Sequence, residues 1–135
     1  MKKACVIIVL SLVSFLLAWR SGFEREANAQ DLIGAWRAQV STPLGLCASE
    51  TLLMPNGQFT KTFICGALTT WDTGTYTIGQ GYIHFNIIDH EPKVYKGKPM
   101  AWQRSETVFF QLSGSDRMIC ADRITGGSWE AVRVR

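Results

Sequence analysis

Charged residues and histidines are scarce in this chain. Lys, Arg, Asp and Glu make up 19% of its 135 residues, and only two histidines are present, whereas a typical soluble domain has about 25% charged residues. Four of the 14 basic and two of the 11 acidic residues lie within 1–29, so the remainder has a net charge near +1. Because there is no basic cluster or arginine-rich stripe, nucleic acid is not expected as a partner.

Recognisable enzyme and cofactor motifs are absent as well. The sequence contains no Gly-x-Ser-x-Gly elbow, no His-Glu-x-x-His helix, no phosphate-binding glycine loop and no Cys-x-x-Cys pair. Asp89, His90 and Glu91 are adjacent, but three neighbouring side chains do not converge on one metal ion without a more distant ligand. We therefore expect a protein that is not an enzyme and that has no bound metal or cofactor.

The sequence also lacks an apolar run that is long enough to span a bilayer as a helix. The run over 4–18 is shorter than the roughly 20 residues that such a helix needs. It follows two lysines and precedes Ala27-Asn28-Ala29, a small-x-small site for signal peptidase. This pattern predicts a signal peptide over 1–29 and a single periplasmic or secreted domain over 30–135, with no membrane span in the mature chain. The alternative is an uncleaved anchor, because the segment before the cleavage site is long and charged.

Three cysteines, Cys47, Cys65 and Cys120, lie beyond the predicted signal. In an oxidising compartment, three cysteines predict one disulfide and one thiol. Met54-Pro55-Asn56-Gly57 predicts a three-residue hairpin, whose register places Cys47 opposite Cys65. Cβ atoms of opposed residues lie about 4.5–5.5 Å apart, so a small adjustment permits a Cys47–Cys65 disulfide. The alternative is Cys65–Cys120. With the first pairing, Cys120 is expected to be a buried, inert thiol.

Short β-rich segments fill the rest of the chain. They are separated by Gly, Pro, Asn, Asp and Ser, and several alternate apolar and polar residues, as Ile83, Phe85 and Ile87 do with their neighbours. The predicted strands cover 34–41, 46–54, 58–65, 72–78, 81–88, 105–112, 116–121 and 128–134. Eight strands joined mostly by tight turns predict an all-β, antiparallel up-and-down barrel. A two-sheet β-sandwich is the alternative.

Gly34-Ala35-Trp36 stands at the head of the first predicted strand. A Gly-x-Trp in this position of a small exported β-barrel resembles the signature of the lipocalins and their calycin relatives, and the strand pattern is similar. The resemblance implies that a short helical turn closes one barrel end and that Trp36 packs there. It also implies that a basic residue near the C-terminus, Arg133 or Arg135, lies across the Trp36 ring. The other lipocalin motifs are absent or degraded.

The candidate ligand-binding residues lie in the fifth predicted strand and in the connection that follows it. Tyr82 and His84 share the strand face opposite Ile83 and Phe85, so they can orient a ligand only if that polar face points inward. The others belong to the connection 89–104, which is longer than usual, and such loops are often functional. The alternative is a lid with Trp102 as its apolar pin. The candidates are Tyr82, His84, His90, Tyr95 and Trp102.

Two functions fit this pattern. The first is a non-enzymatic binding module that holds a small apolar or amphipathic ligand at the open end of the barrel. The second is a surface-acting envelope protein or an inhibitor of an extracytoplasmic hydrolase, because the chain is also similar to small bacterial secreted protease inhibitors. In those, an N-terminal segment, here Gln30-Asp31-Leu32, enters the protease. An open apolar pocket of about 300 Å³ or more favours the first function, and a solid interior with exposed aromatics around Trp102 or Trp71 favours the second.

Overall fold

The computed structural model describes residues 29–43, 45–124 and 126–135. Nearly all of the predicted signal peptide therefore lies outside the described residues. These residues form one short helix, α1 (Ala29–Leu32), and ten strands. The strands are β1 (Gly34–Thr42), β2 (Gly45–Leu53), β3 (Gln58–Cys65), β4 (Leu68–Gly79), β5 (Tyr82–Glu91), β6 (Val94–Tyr95), β7 (Lys98–Pro99), β8 (Ser105–Ser113), β9 (Arg117–Asp122) and β10 (Ser128–Arg133). None of the described residues belongs to a helix with the length and apolar character that crossing a membrane requires.

Eight of the strands form one closed antiparallel barrel. Its order is β1-β10-β9-β8-β5-β4-β3-β2, and the pairing of β1 with β10 closes the wall. Neighbouring strands follow one another along the chain, except that the small β6–β7 hairpin lies between β5 and β8. The predicted all-β up-and-down barrel is confirmed, and the sandwich alternative is wrong.

The hairpin around Asn56 forms as its turn residues predict. Gly57 has a φ of +82°, which is the left-handed conformation that the last turn residue requires, and Met54 N donates to Gln58 O at 2.9 Å. The same register brings Cys47 and Cys65 together in a disulfide with a Cα–Cα distance of 4.5 Å. The predicted disulfide is confirmed, and the Cys65–Cys120 alternative is wrong because Cys120 is a free, buried cysteine.

The connection predicted over 89–104 is more regular than expected. β5 continues to Glu91, and a two-stranded hairpin follows. The register between β4 and β5 shifts so that Ile88 has no partner on β4. Such a bulge interrupts the in-and-out alternation of a strand. Without the bulge, Asp89 would be the next inward-facing residue after Ile87. With the bulge, the next buried residue is His90, so the His90 side chain is packed within the wall.

Helix α1 closes one end of the barrel, called here the closed end. Leu32 is fully buried there, and Trp36 Nε1 donates a 2.9 Å hydrogen bond to the carbonyl oxygen of Leu32. The guanidinium of Arg133 lies 4.4 Å above the centre of the Trp36 ring and donates to the carbonyl oxygens of Ile33 and Asp31 at 2.7 and 2.6 Å. Arg133 therefore ties the helix, the first strand and the last strand together.

Gly34 makes room for this arrangement. Its φ is +126°, and a Cβ at this position would lie 2.9 Å from Nη1 of Arg133. A side chain here would therefore strain the backbone and push the guanidinium away from the Trp36 ring. The glycine and the tryptophan of the Gly-x-Trp sequence thus serve the same arginine contact.

Candidate ligand cavity

Above the closed end, the barrel encloses a cavity of about 470 Å³. Its deeper wall is apolar because the inward-facing positions of several strands carry apolar side chains: Trp36, Leu53, Ile83, Phe85, Val108 and Met118. Ala38 on β1 and Ala131 on β10 face each other across the strand pair, and both line the cavity. Two small side chains at directly opposed positions leave space that larger residues would fill.

Charged side chains line the cavity toward its other end. We call the set Lys61, Asp72, Glu106 and Asp122 the polar band. Lys61 Nζ lies 3.3 Å from Glu106 Oε2, and each side chain is 21% exposed. β3, which carries Lys61, and β8, which carries Glu106, are not adjacent in the sheet. This ion pair therefore reaches across the barrel interior instead of along the wall.

Asp72 connects the polar band to a stack of side chains in the wall. It is paired directly with Lys61 on β3 and with His90 on β5. The Nδ1 of His90 is hydrogen-bonded to the Asp72 carboxylate; the imidazole donates, because an ionised carboxylate only accepts. His90 is 6% exposed, and its Nε2 has no hydrogen-bond partner among the described residues.

Trp102 and Arg104 extend this stack. The Trp102 ring lies nearly parallel to the His90 ring, with their centres 5.7 Å apart. The guanidinium of Arg104 lies 3.9 Å from the centre of the Trp102 ring, within the range of a cation–π contact. Trp102 thus packs on the buried imidazole and fixes its orientation against Asp72.

The candidate residues named from the sequence occupy three different places. Tyr82 and His84 lie on the outer face of β5, where Tyr82 is 38% exposed and His84 Nδ1 lies 2.8 Å from Thr107 Oγ1. Tyr95 lies in the β6–β7 hairpin with Lys96 above its ring. None of these three lines the cavity. His90 and Trp102 also lie outside its lining, but His90 contacts Asp72, which is part of it.

Sequence reasoning did not identify the polar band, although two of its members carry a usable signal. Lys61 is spaced two residues from Phe59 and from Phe63, and Glu106 is spaced two residues from Val108. Since side chains at i and i+2 share a strand face, both charges belong to inward-facing sets. Charged residues are almost never fully buried unless they are paired, and in the folded barrel Lys61 and Glu106 pair with each other.

The Cys120 thiol lines the cavity but is well shielded from water. Its burial raises its pKa to about 12, with the nearby Lys61 ammonium acting in the opposite direction. The thiolate is the reactive form of cysteine. Cys120 is therefore a residue of the cavity wall whose thiol is a poor nucleophile at neutral pH.

We expect iodoacetamide to alkylate Cys120 at pH 8 at least about 100-fold more slowly in the folded protein than in the guanidinium-unfolded, disulfide-intact protein. A thiol with a pKa near 12 is ionised to about one part in ten thousand at this pH, against about a quarter for an unperturbed thiol near 8.5. Mass spectrometry of the Cys120 peptide over time gives both rates. Similar rates in the two states would contradict the buried, protonated thiol.

Within the described part of the chain, no three His, Cys, Asp or Glu side chains are grouped so that they could hold a metal ion. A comparison of the sequence with known protein families gives no match, and a comparison with curated proteins gives none either. The candidate site is thus defined by the geometry of the barrel interior alone.

Proposed function

We propose that the protein is an exported, non-enzymatic binding module that holds a small apolar or amphipathic ligand inside its barrel. The observation that carries the proposal is the cavity of about 470 Å³ with an apolar deeper wall. Ligand pockets of about 300–1,000 Å³ are typically lined by apolar side chains with a few polar groups that fix orientation. The polar band supplies such groups.

A lipocalin-like relationship and export are parts of the same proposal. The closed eight-stranded barrel, the helix at its closed end and the contact between Trp36 and Arg133 support the relationship. The Cys47–Cys65 disulfide supports export to the periplasm or beyond, because disulfides persist in oxidising compartments.

Inhibition of a hydrolase, or another surface-based role, has less support. The inhibitor mechanism needs an N-terminal segment that enters a protease cleft, but 30–32 belong to α1 and Leu32 is fully buried. Trp71, which is 49% exposed on the outer face of β4, is the feature that a protein partner would use. The interior cavity has no role in that alternative.

Filling the cavity separates the two functions. We expect the purified protein to bind the neutral apolar dye Nile red saturably, and a double variant, Ala38→Leu with Ala131→Phe, to bind it at least about tenfold more weakly. The new side chains occupy existing space instead of forcing neighbours apart, so the double variant is expected to keep its thermal stability. Dye fluorescence titration and thermal unfolding give the two readouts.

The matched control is Ala121→Leu. Ala121 alternates with the cavity residue Cys120 on β9 and is paired with Phe109, so the same kind of enlargement is made outside the barrel. This variant is expected to bind Nile red like the wild type. Unchanged dye binding in the double variant would mean that the dye binds elsewhere and would remove the main support for an interior site.

A further inference from the structure

The charge on the cavity wall is unbalanced. Three carboxylates, Asp72, Glu106 and Asp122, line the cavity together with a single ammonium, Lys61. A carboxylate that is partly withdrawn from water is stabilised by a positive partner or by hydrogen-bond donors. Lys61 supplies this for Glu106 at 3.3 Å. The His90 ring does so for Asp72, and the backbone N–H of Ile124 donates to Asp122 at 2.9 Å. The band nevertheless has three carboxylates and one ammonium.

Lys61 also marks a position where an ammonium group fits inside the barrel. Its side chain extends from β3 to Glu106 on a strand that is not its neighbour. Its charge also acts on the thiol of Cys120 on β9. The Nζ atom therefore lies in the interior of the barrel, beside a carboxylate of the cavity wall.

His90 holds one of these carboxylates in place. Its Nδ1 is hydrogen-bonded to the Asp72 carboxylate, and the Trp102 ring is stacked on the imidazole. Asp72 lines the cavity, whereas His90 lies behind it in the wall. The Asp72 carboxylate therefore has a fixed position on the cavity wall.

We propose that the ligand is an amphipathic amine. Its protonated head binds in the polar band, and its apolar part packs against the apolar deeper wall of the cavity, which includes Trp36. This inference rests on the proposed function. Trp129 and Phe63 also line the cavity, and aromatic faces attract cations. An anionic head would meet three carboxylates and would compete with Glu106 for Lys61, so the same wall disfavours fatty-acid-like ligands.

Three probes with the same chain and different heads test the proposal: octylamine, octanol and octanoate, each competing with Nile red at pH 7.5. At this pH the amine is protonated and the acid is ionised. We expect octylamine to displace the dye at a concentration about tenfold lower than octanol, since a charge-assisted hydrogen bond is worth about one order of magnitude. Octanoate is expected to be the weakest competitor.

Two substitutions locate the head group. Glu106→Gln is expected to remove most of the preference for octylamine over octanol, about tenfold, while leaving octanol unchanged. Lys61→Met is expected to strengthen octylamine binding several-fold, because it removes a competing ammonium and frees Glu106. The matched control is Glu50→Gln, which changes the net charge equally but lies on the outer face, where Glu50 is paired with Arg37.

Each outcome has a separate meaning. Tighter binding of octanoate than of octylamine would overturn the amine proposal and indicate a ligand whose anionic head binds to Lys61. Equal binding of all three probes would also overturn it, while the proposal of an apolar ligand would stand. If none of the probes displaces Nile red, or if the dye does not bind at all, the proposed function itself fails. A loss of amine preference in Glu50→Gln would show a general charge effect.

Discussion

Replacing Trp36 with alanine is expected to lower the free energy of unfolding by about 3–5 kcal/mol, the range for removing a buried aromatic side chain. Trp36 is almost fully buried, and three contacts depend on its ring: the hydrogen bond to Leu32 O, the Arg133 guanidinium above it and the floor of the cavity. Stability of a domain of this size is typically only about 5–15 kcal/mol. The loss therefore corresponds to about 15–25 °C in Tm.

Trp71→Ala is the matched control for this prediction. Trp71 is 49% exposed on the outer face, so the same atoms are removed where water already solvates much of the ring, and we expect a loss below about 1 kcal/mol. Urea titration monitored by far-UV circular dichroism gives both values. Similar losses for the two variants would show that the closed end does not depend on Trp36.

An intermediate substitution separates the two kinds of contact at the closed end. Trp36→Phe keeps an aromatic face for Arg133 but removes the donor to Leu32 O. Because a carbonyl left without its donor costs about 1–3 kcal/mol when buried, this variant is expected to lie between the wild type and Trp36→Ala in the same titration. A loss equal to that of the alanine variant would assign the whole effect to the hydrogen bond.

The barrel could be predicted from the sequence because its turns and its strand register are determined by residues that are close together in the chain. Pro55-Asn56-Gly57 determines the turn type, the turn type determines the register of β2 against β3, and the register places Cys47 opposite Cys65. Alternation along β5 likewise predicts which face of the wall is inward, as Ile83 and Phe85 confirm. Each step depends on residues that are close in the chain, so tertiary contacts did not need to be known.

The candidate site could not be predicted in the same way, because it depends on how the wall curves. Lys61 and Glu106 meet only because the wall from β3 through β4 and β5 to β8 curves around the interior. His90 turns inward only because Ile88 is an extra residue in β5. The sequence signal for this bulge lies on the facing strand at Gly74, where the backbone of Asn86 leaves no room for a Cβ. Reasoning from alternation therefore assigned His90 to a loop and left the charged interior positions unnoticed.

Removing the disulfide with Cys47→Ala and Cys65→Ala is expected to lower the free energy of unfolding by about 3 kcal/mol. The two cysteines are separated by 18 residues, and cross-linking them restricts the unfolded chain much more than the folded one, in which the β2–β3 hairpin already holds both strands. The mechanism thus differs from that of Trp36→Ala, which removes contacts from the native state. The folded double variant is expected to keep its circular dichroism spectrum and its Nile red binding.

Urea titration distinguishes these mechanisms through the slope of the unfolding free energy. An unfolded chain without the cross-link exposes more surface, so the slope is expected to increase in the double variant, whereas a native-state defect shifts the midpoint at constant slope. Cys120→Ala is the matched control, because it replaces a buried cysteine that forms no disulfide, and a loss of only about 1 kcal/mol is expected. A double variant with an unchanged slope and lost dye binding would mean instead that the disulfide shapes the folded cavity wall, near Thr42 Oγ1, which lies 3.4 Å from Cys47 Sγ.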